Sequence, residues 1–157
     1  MKKKRVVIIS LLLLLVSVIA ISSYFLFKDK INLLDVDHSA VDWNGKKQKD
    51  TSGEENTIAI PGFEKVTLYA NETKQAVNFH NPEINDCYFK ISLIHPDGSV
   101  LWISDLIEPG KGMYSIELEK TLAVGEYENA VLKYECFSLN DQSPLNGSEI
   151  NLKLVVV

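Results

Sequence analysis

Several residue types that usually betray a chemistry are scarce or wrongly spaced in this chain. There are two cysteines in 157 residues, Cys87 and Cys136, and their separation is not a metal-site spacing. There are three histidines, His38, His80 and His95, with no pair at helical ligand spacing and no cysteine nearby. They read as solvent-exposed side chains rather than zinc ligands. No Gly-x-Ser-x-Gly elbow and no glycine loop that would cradle a phosphate occurs, so the motifs of α/β-hydrolases and nucleotide enzymes are missing. Ser92, His95 and Asp97 are close in sequence, but strand geometry splays such residues instead of converging them into a triad. Glu117 with Glu119, and Glu126 with Glu128, stand two apart and share the hydrated face of a strand. The expectation is a protein that is not an enzyme, with no catalytic, metal or cofactor residues.

Positive charge is also in short supply beyond the N-terminus. Residues 57–157 hold seven Lys against 14 acidic residues, and residues 28–56 hold five Lys against seven. A surface of that sign does not suit nucleic acid or anionic lipid, both of which call for basic patches. It favours solubility beside a negatively charged membrane.

The chain does contain one long apolar run. Lys2, Lys3, Lys4 and Arg5 precede the 22 residues from Val6 to Phe27, of which 18 are apolar and four are Ser. At 1.5 Å per residue such a helix spans about 33 Å, enough for a hydrocarbon core of about 30 Å. Serine hydroxyls can return to the helix backbone, and Tyr24, Phe25 and Phe27 suit the headgroup boundary. The basic cluster predicts a cytoplasmic N-terminus (residues 1–5), a membrane helix over 6–27 and a cell-membrane protein whose C-terminal domain is extracellular. A cleaved signal peptide is the alternative, with Val18-Ile19-Ala20 at the cleavage position; the apolar run continues past that point to Phe27. No cysteine follows the run, against lipoprotein processing. No Glu lies early in it, against a type IV pilin, and no C-terminal sorting tail is seen. Residues 28–56, which include the charged run from Lys46 to Asn56, read as a flexible stalk of about 30 Å. Ile31, Leu33, Leu34 and Val36 are its apolar exception, fit to extend the helix or to pack on the outer domain.

From Ile58 onward short alternating runs are broken by Pro, Gly, Asn and Asp, the pattern of an all-β sandwich over 57–157. Seven strands are predicted, near 65–70, 75–80, 87–95, 100–104, 113–119, 127–138 and 149–157. On the third, Cys87, Phe89, Ile91 and Leu93 share one face. On the fifth, Tyr114, Ile116 and Leu118 point inward, and on the last Ile150, Leu152, Leu154 and Val156 do. The run from His95 to Ser99, with Pro96 and Gly98, is a turn. Leu122 to Tyr127 resembles the tyrosine corner of immunoglobulin and fibronectin type III domains, where the Tyr hydroxyl bonds back to nearby backbone.

In that topology strands three and six are antiparallel neighbours. Cys87 and Cys136 then lie at the same end, point inward and are close enough to bridge. The fate of Trp102 depends on the turn before it. A three-residue loop pairs Leu93 with Leu101 and turns Trp102 outward beside Tyr88, where an aromatic pair suits a sugar ring or a protein. A two-residue loop buries Trp102. The end loops are the other candidate binding surface, with Asn81, Glu83, Asn85 and Asp86 on one and Asn140 and Asp141 on the other, within Leu139–Ser148. The closing run Val155-Val156-Val157 could pair with another strand if it lies at a sheet edge.

Ile60-Pro61-Gly62, Val100-Leu101-Trp102, Ile107 to Gly112, Leu122 to Tyr127 and Ser143 to Gly147 together resemble small single-pass envelope proteins of Gram-positive bacteria that carry an extracellular immunoglobulin-like sandwich. The resemblance implies a seven-stranded immunoglobulin-like fold behind one transmembrane helix, and it supplies no catalytic residues. The function expected is a membrane-anchored binding or assembly module that shows loops or a sheet edge to an envelope protein or glycan. Alternatives are a structural subunit of a secretion or conjugation complex and an enzyme inhibitor.

Overall fold

The computed structural model describes residues 13–19, 21–22, 33–45 and 57–157. The chain divides into two compact units, Met1–Leu33 and Leu34–Val157. In the first, residues 13–19 and 21–22 are helical. Their side chains are apolar apart from Ser17 and Ser22, and Ser17 Oγ donates to the Leu14 carbonyl at 2.8 Å. The rest of the expected span over 6–27, the basic segment 1–5 and the charged run 46–56 lie outside the described residues. Among the described residues no helix is long and apolar enough to cross a membrane.

The second unit is built of strands in two sheets. Its elements are β1 (Val41–Asp42), β2 (Lys65–Leu68), β3 (Lys74–His80), β4 (Cys87–Ile94), β5 (Val100–Ile103), β6 (Lys111–Glu117), β7 (Gly125–Ser138) and β8 (Pro144–Val156). One sheet has the order β1-β6-β3 and the other β2-β8-β7-β4-β5. Pairing is antiparallel except where β2 runs parallel to β8, Lys65 opposite Lys153 through Leu68 opposite Val156. The seven expected strands are present, and β1 is an eighth that comes from the stretch read as stalk. That stretch runs along the body: Val36 bridges Leu106, and Val41 and Asp42 pair with Gly112 and Lys111.

Alternation explains the core. Phe89, Ile91 and Leu93 of β4, Leu132, Tyr134 and Cys136 of β7, and Leu152, Leu154 and Val156 of β8 point the same way and are buried. Phe79 of β3 and Met113 and Ile116 of β6 meet them from the other sheet in one cluster. At about 25 cal/mol per Å² of apolar surface, each large side chain so buried contributes on the order of 2 kcal/mol before the entropy of ordering it. Gln75 is buried too, and its amide is satisfied: Nε2 donates to the Tyr69 and Glu72 carbonyls and Oε1 accepts from Tyr69 N–H. The Tyr127 hydroxyl donates to the Ala123 carbonyl at 2.9 Å, closing the corner before β7.

Breaks in the alternation account for the expectations that fail. The register of β3 on β6 slips between Ala76 and Phe79, where two β3 residues face one of β6. The slip turns Met113 inward and Tyr114 outward, the reverse of the expected phase. Between β4 and β5 the chain uses a five-residue turn, His95 to Ser99, with Gly98 at φ 85°. Leu93 there faces Trp102, and the register shifts before Ile94 meets Val100. Both Leu101 and Trp102 are consequently buried, and Trp102 packs against Phe79 at 5.8 Å between ring centroids. The strand expected at 149–157 begins at Pro144, which makes the second half of the expected loop 139–148 one arm of a hairpin with β7. Finally, β8 lies between β2 and β7, so the closing valines are not on an edge and offer no strand to a partner.

Candidate functional site

The end of the body where β3 finishes and β4 and β6 start gathers the most varied side chains. It begins with a turn. Glu108-Pro109-Gly110-Lys111 closes with Lys111 N–H on the Glu108 carbonyl at 3.1 Å, and Gly110 holds φ 77°. Proline at the second position and a left-handed glycine at the third define a type II turn. The Gly110 carbonyl then accepts from Trp43 N–H at 2.9 Å, which carries the strand β1 one step further.

Trp43 lies across the neighbouring strands. Its ring stacks on His80 at 3.8 Å with planes 8° apart, and its Nε1–H donates to Asn78 Oδ1 at 2.8 Å. A Cβ at Gly112 would come within 2.7 Å of the Trp43 ring and 2.9 Å of the Phe79 carbonyl, so only glycine admits this approach. The outward-turned Tyr114 fixes the next residue: its hydroxyl accepts from Asn44 N–H and donates to Asn44 Oδ1, both at 2.9 Å. The Lys111 ammonium sits on the Asp42 carboxylate, which holds that carboxyl below its ordinary range and raises the lysine.

Opposite stands the loop 81–86, and its two asparagines do not face solvent as expected. Both are buried. Asn81 Nδ2 donates to the carbonyls of Cys87 and Ile107 at 2.8 and 2.9 Å. Asn85 Nδ2 donates to Asn81 Oδ1 and to the Ala59 carbonyl, and Asn85 Oδ1 accepts from Ala59 N–H. The amides act as struts that tie the loop to the strands behind it. What the loop shows outward is Glu83, Ile84 and Asp86, with Ile84 77% exposed. Between this loop, the Pro109–Gly110 turn and the segment Asp42–Gly45 opens a cleft of about 800 Å³, with Trp43 and His80 among its lining residues.

The remaining expected site residues fall as follows. Trp102 is buried on the core side of β5, while Tyr88 is half-buried on the other face of β4, opposite Phe137. The proposed Trp102–Tyr88 surface pair therefore does not exist. Asn140 and Asp141 are exposed in the turn between β7 and β8, where hydrogen bonds from Ser143 and Ser138 hold the Asp141 carboxyl below its usual range. Gln142 beside them brackets Leu34, accepting from its N–H at 2.6 Å and donating to its carbonyl at 3.0 Å. Register puts Cys87 opposite Ser138, so this turn and the 81–86 loop share one end.

Cys87 and Cys136 come together but are free thiols, both buried. Phe89 faces Cys136 and Cys87 faces Ser138, which makes the cysteines diagonal neighbours on the inner face. The contact with Cys87 and burial push the Cys136 thiol up, so the pair keeps at least one proton at neutral pH.

His80, read from sequence as exposed, is buried beneath Trp43. Neither Trp43, Asn44 nor His80 stood out as a binding residue. The available signal was a Trp in Val41-Asp42-Trp43, an apolar-aromatic word inside an otherwise hydrophilic stretch. No protein-family model matches the chain, and no curated protein or solved structure matches it.

Proposed function

We propose that the chain is a membrane-anchored binding module whose cleft, at the β3–β4 end of the body, receives an extracytoplasmic partner belonging to the cell envelope. One observation carries the reading: a concave site with an aromatic floor and polar rim stands on strands and braced loops, which is how binding sites are usually built. The helical, nearly all-apolar residues 13–19 and 21–22 support the anchor, since a helix apolar all round needs a buried or lipid environment. The basic residues 2–5 support a cytoplasmic N-terminus. Three features support an immunoglobulin-like sandwich: β4 against β7, β2 parallel along β8, and the Tyr127 corner.

A photo-crosslinking residue placed at Ile84, in intact cells, tests the site. The same residue at Val124, 71% exposed at the opposite end of the body, is the control. Adducts from position 84 and not from 124 are expected. Equal labelling from both positions, or none from 84, would defeat the assignment. Extraction of the full chain by detergent but not by alkaline carbonate is the expected behaviour of the anchor, and release by carbonate would refute it.

A further inference from the structure

We propose that the cleft binds a neutral saccharide, a pyranose ring stacking on Trp43 with its hydroxyls donating to Glu83 and Asn44. The inference rests on the reading of the cleft as the binding site and names its ligand class.

Trp43 has one ring face on His80 and is half-buried where it lines the cleft. Gly45 also lies close against Nε1 and Cε2 of the indole, so what is offered is the part of the ring that lines the cleft, to which the axial C–H groups of a sugar ring present a matching apolar face. The indole does not need to be ordered on binding. Its Nε1–H is held by Asn78, its backbone N–H by Gly110, and its edge lies on Gly112. Preorganisation of this kind lowers the entropic cost of capture.

Charge separates the ligand classes. Among the described residues lining the cleft, the carboxylates are those of Asp42 and Glu83, and there is no Lys or Arg. An anion therefore meets no Lys or Arg among those described residues. A cation would meet Asp42 already engaged by Lys111. Hydroxyls of a neutral polyol can donate to Glu83 and to the side-chain oxygen of Asn44 without displacing that ion pair. The volume, about 800 Å³, lies in the range of sites for small organic ligands.

The test uses the full-length chain in a detergent without a sugar headgroup. Neutral di- and trisaccharides of glucose, galactose, mannose and N-acetylglucosamine are titrated to about 20 mM, enough to detect a Kd of about 1 mM. The readout is the ¹H–¹⁵N cross-peak of the Trp43 indole. A saturable shift with at least one sugar is expected, and Glu83→Ala should weaken it about 3- to 10-fold, the worth of one hydrogen bond. Glu83 is exposed, so this variant tests the contact without threatening the fold. No saturable shift with any sugar, or a shift that Glu83→Ala leaves unchanged, would overturn the proposal. If instead an oligolysine peptide moves the peak and the sugars do not, the ligand is a cationic peptide: the saccharide inference fails while the cleft stands as the site. Failure of crosslinking from position 84 would remove the site itself.

Discussion

Replacing Asn85 by Ala tests whether the loop bordering the cleft hangs on a single side-chain amide. The truncation leaves three groups without their partner: the N–H and carbonyl of Ala59, which is fully buried, and Asn81 Oδ1. A buried polar group left unpaired costs about 1–3 kcal/mol, and entry of water into the space lowers the sum, so a loss of about 3–5 kcal/mol is expected. At roughly 4 °C per kcal/mol for a domain of this size, the midpoint should fall by about 12–20 °C. Thermal and urea melts followed by circular dichroism measure it. Asn85→Asp sharpens the test. The carboxylate can still accept from Ala59 N–H, but it faces Asn81 Oδ1 and the Ala59 carbonyl with no proton to give. It should be worse than Ala at pH 7 and should recover as acid protonates it, because burial near acceptors raises its pKa. A loss under about 1 kcal/mol for Asn85→Ala, or no pH dependence for Asn85→Asp, would refute the idea that the amide holds the loop.

Exposure to a small disulfide such as oxidised glutathione should convert Cys87 and Cys136 to a bridge, closing a loop of about 50 residues and adding up to about 4 kcal/mol by the chain-entropy relation. Intact mass after alkylation of the denatured protein reads the outcome, and two alkylated thiols would count against it. Gly112→Ala should cost about 1–3 kcal/mol, since a methyl group has no room beside Trp43 and the Phe79 carbonyl; a denaturant melt within error of wild type would show that the strand yields easily. Asp97 is held below its ordinary carboxylate range first by Ser99, then by His95. A depressed folded-state pKa means that its stabilisation is present above about pH 4 and is lost as pH falls below that value. Asp97→Asn should therefore flatten the acid limb of the stability profile, and an unchanged limb would contradict the assignment.

Much of this architecture could be read from alternation alone. The inward faces of β4, β7 and β8 follow directly from Phe89, Ile91 and Leu93, from Leu132, Tyr134 and Cys136, and from Leu152, Leu154 and Val156. The pairing of β4 with β7 agrees with this alternation, since a one-residue slip would turn every inward side chain outward. The asparagines depart from the loop expectation for a physical reason. Asn is usually a loop residue, and nothing local says that Asn81 and Asn85 will satisfy carbonyls contributed by Ile107 and Ala59, each 26 residues away. His80 departs likewise, since the ring that covers it comes from Trp43, across a charged run.

One departure from regular alternation lies beside the cleft. An extra residue in β3, between Ala76 and Phe79, brings Phe79 and His80 both to buried positions and frees Tyr114 to point outward. From there Tyr114 can hold Asn44, while Asn78, at the slip itself, holds the Trp43 indole. A bulge of this kind re-aims side chains and is over-represented beside functional sites. Without the slip, Tyr114 would point into the core and no hydroxyl would fix the end of β1. The irregularity that defeats a period-two reading of β3 and β6 is thus the same one that builds the cleft floor. Removing one residue from the β3 bulge should leave the β4–β7–β8 face intact and release Trp43, which ties the candidate function to a place where simple periodicity gives way.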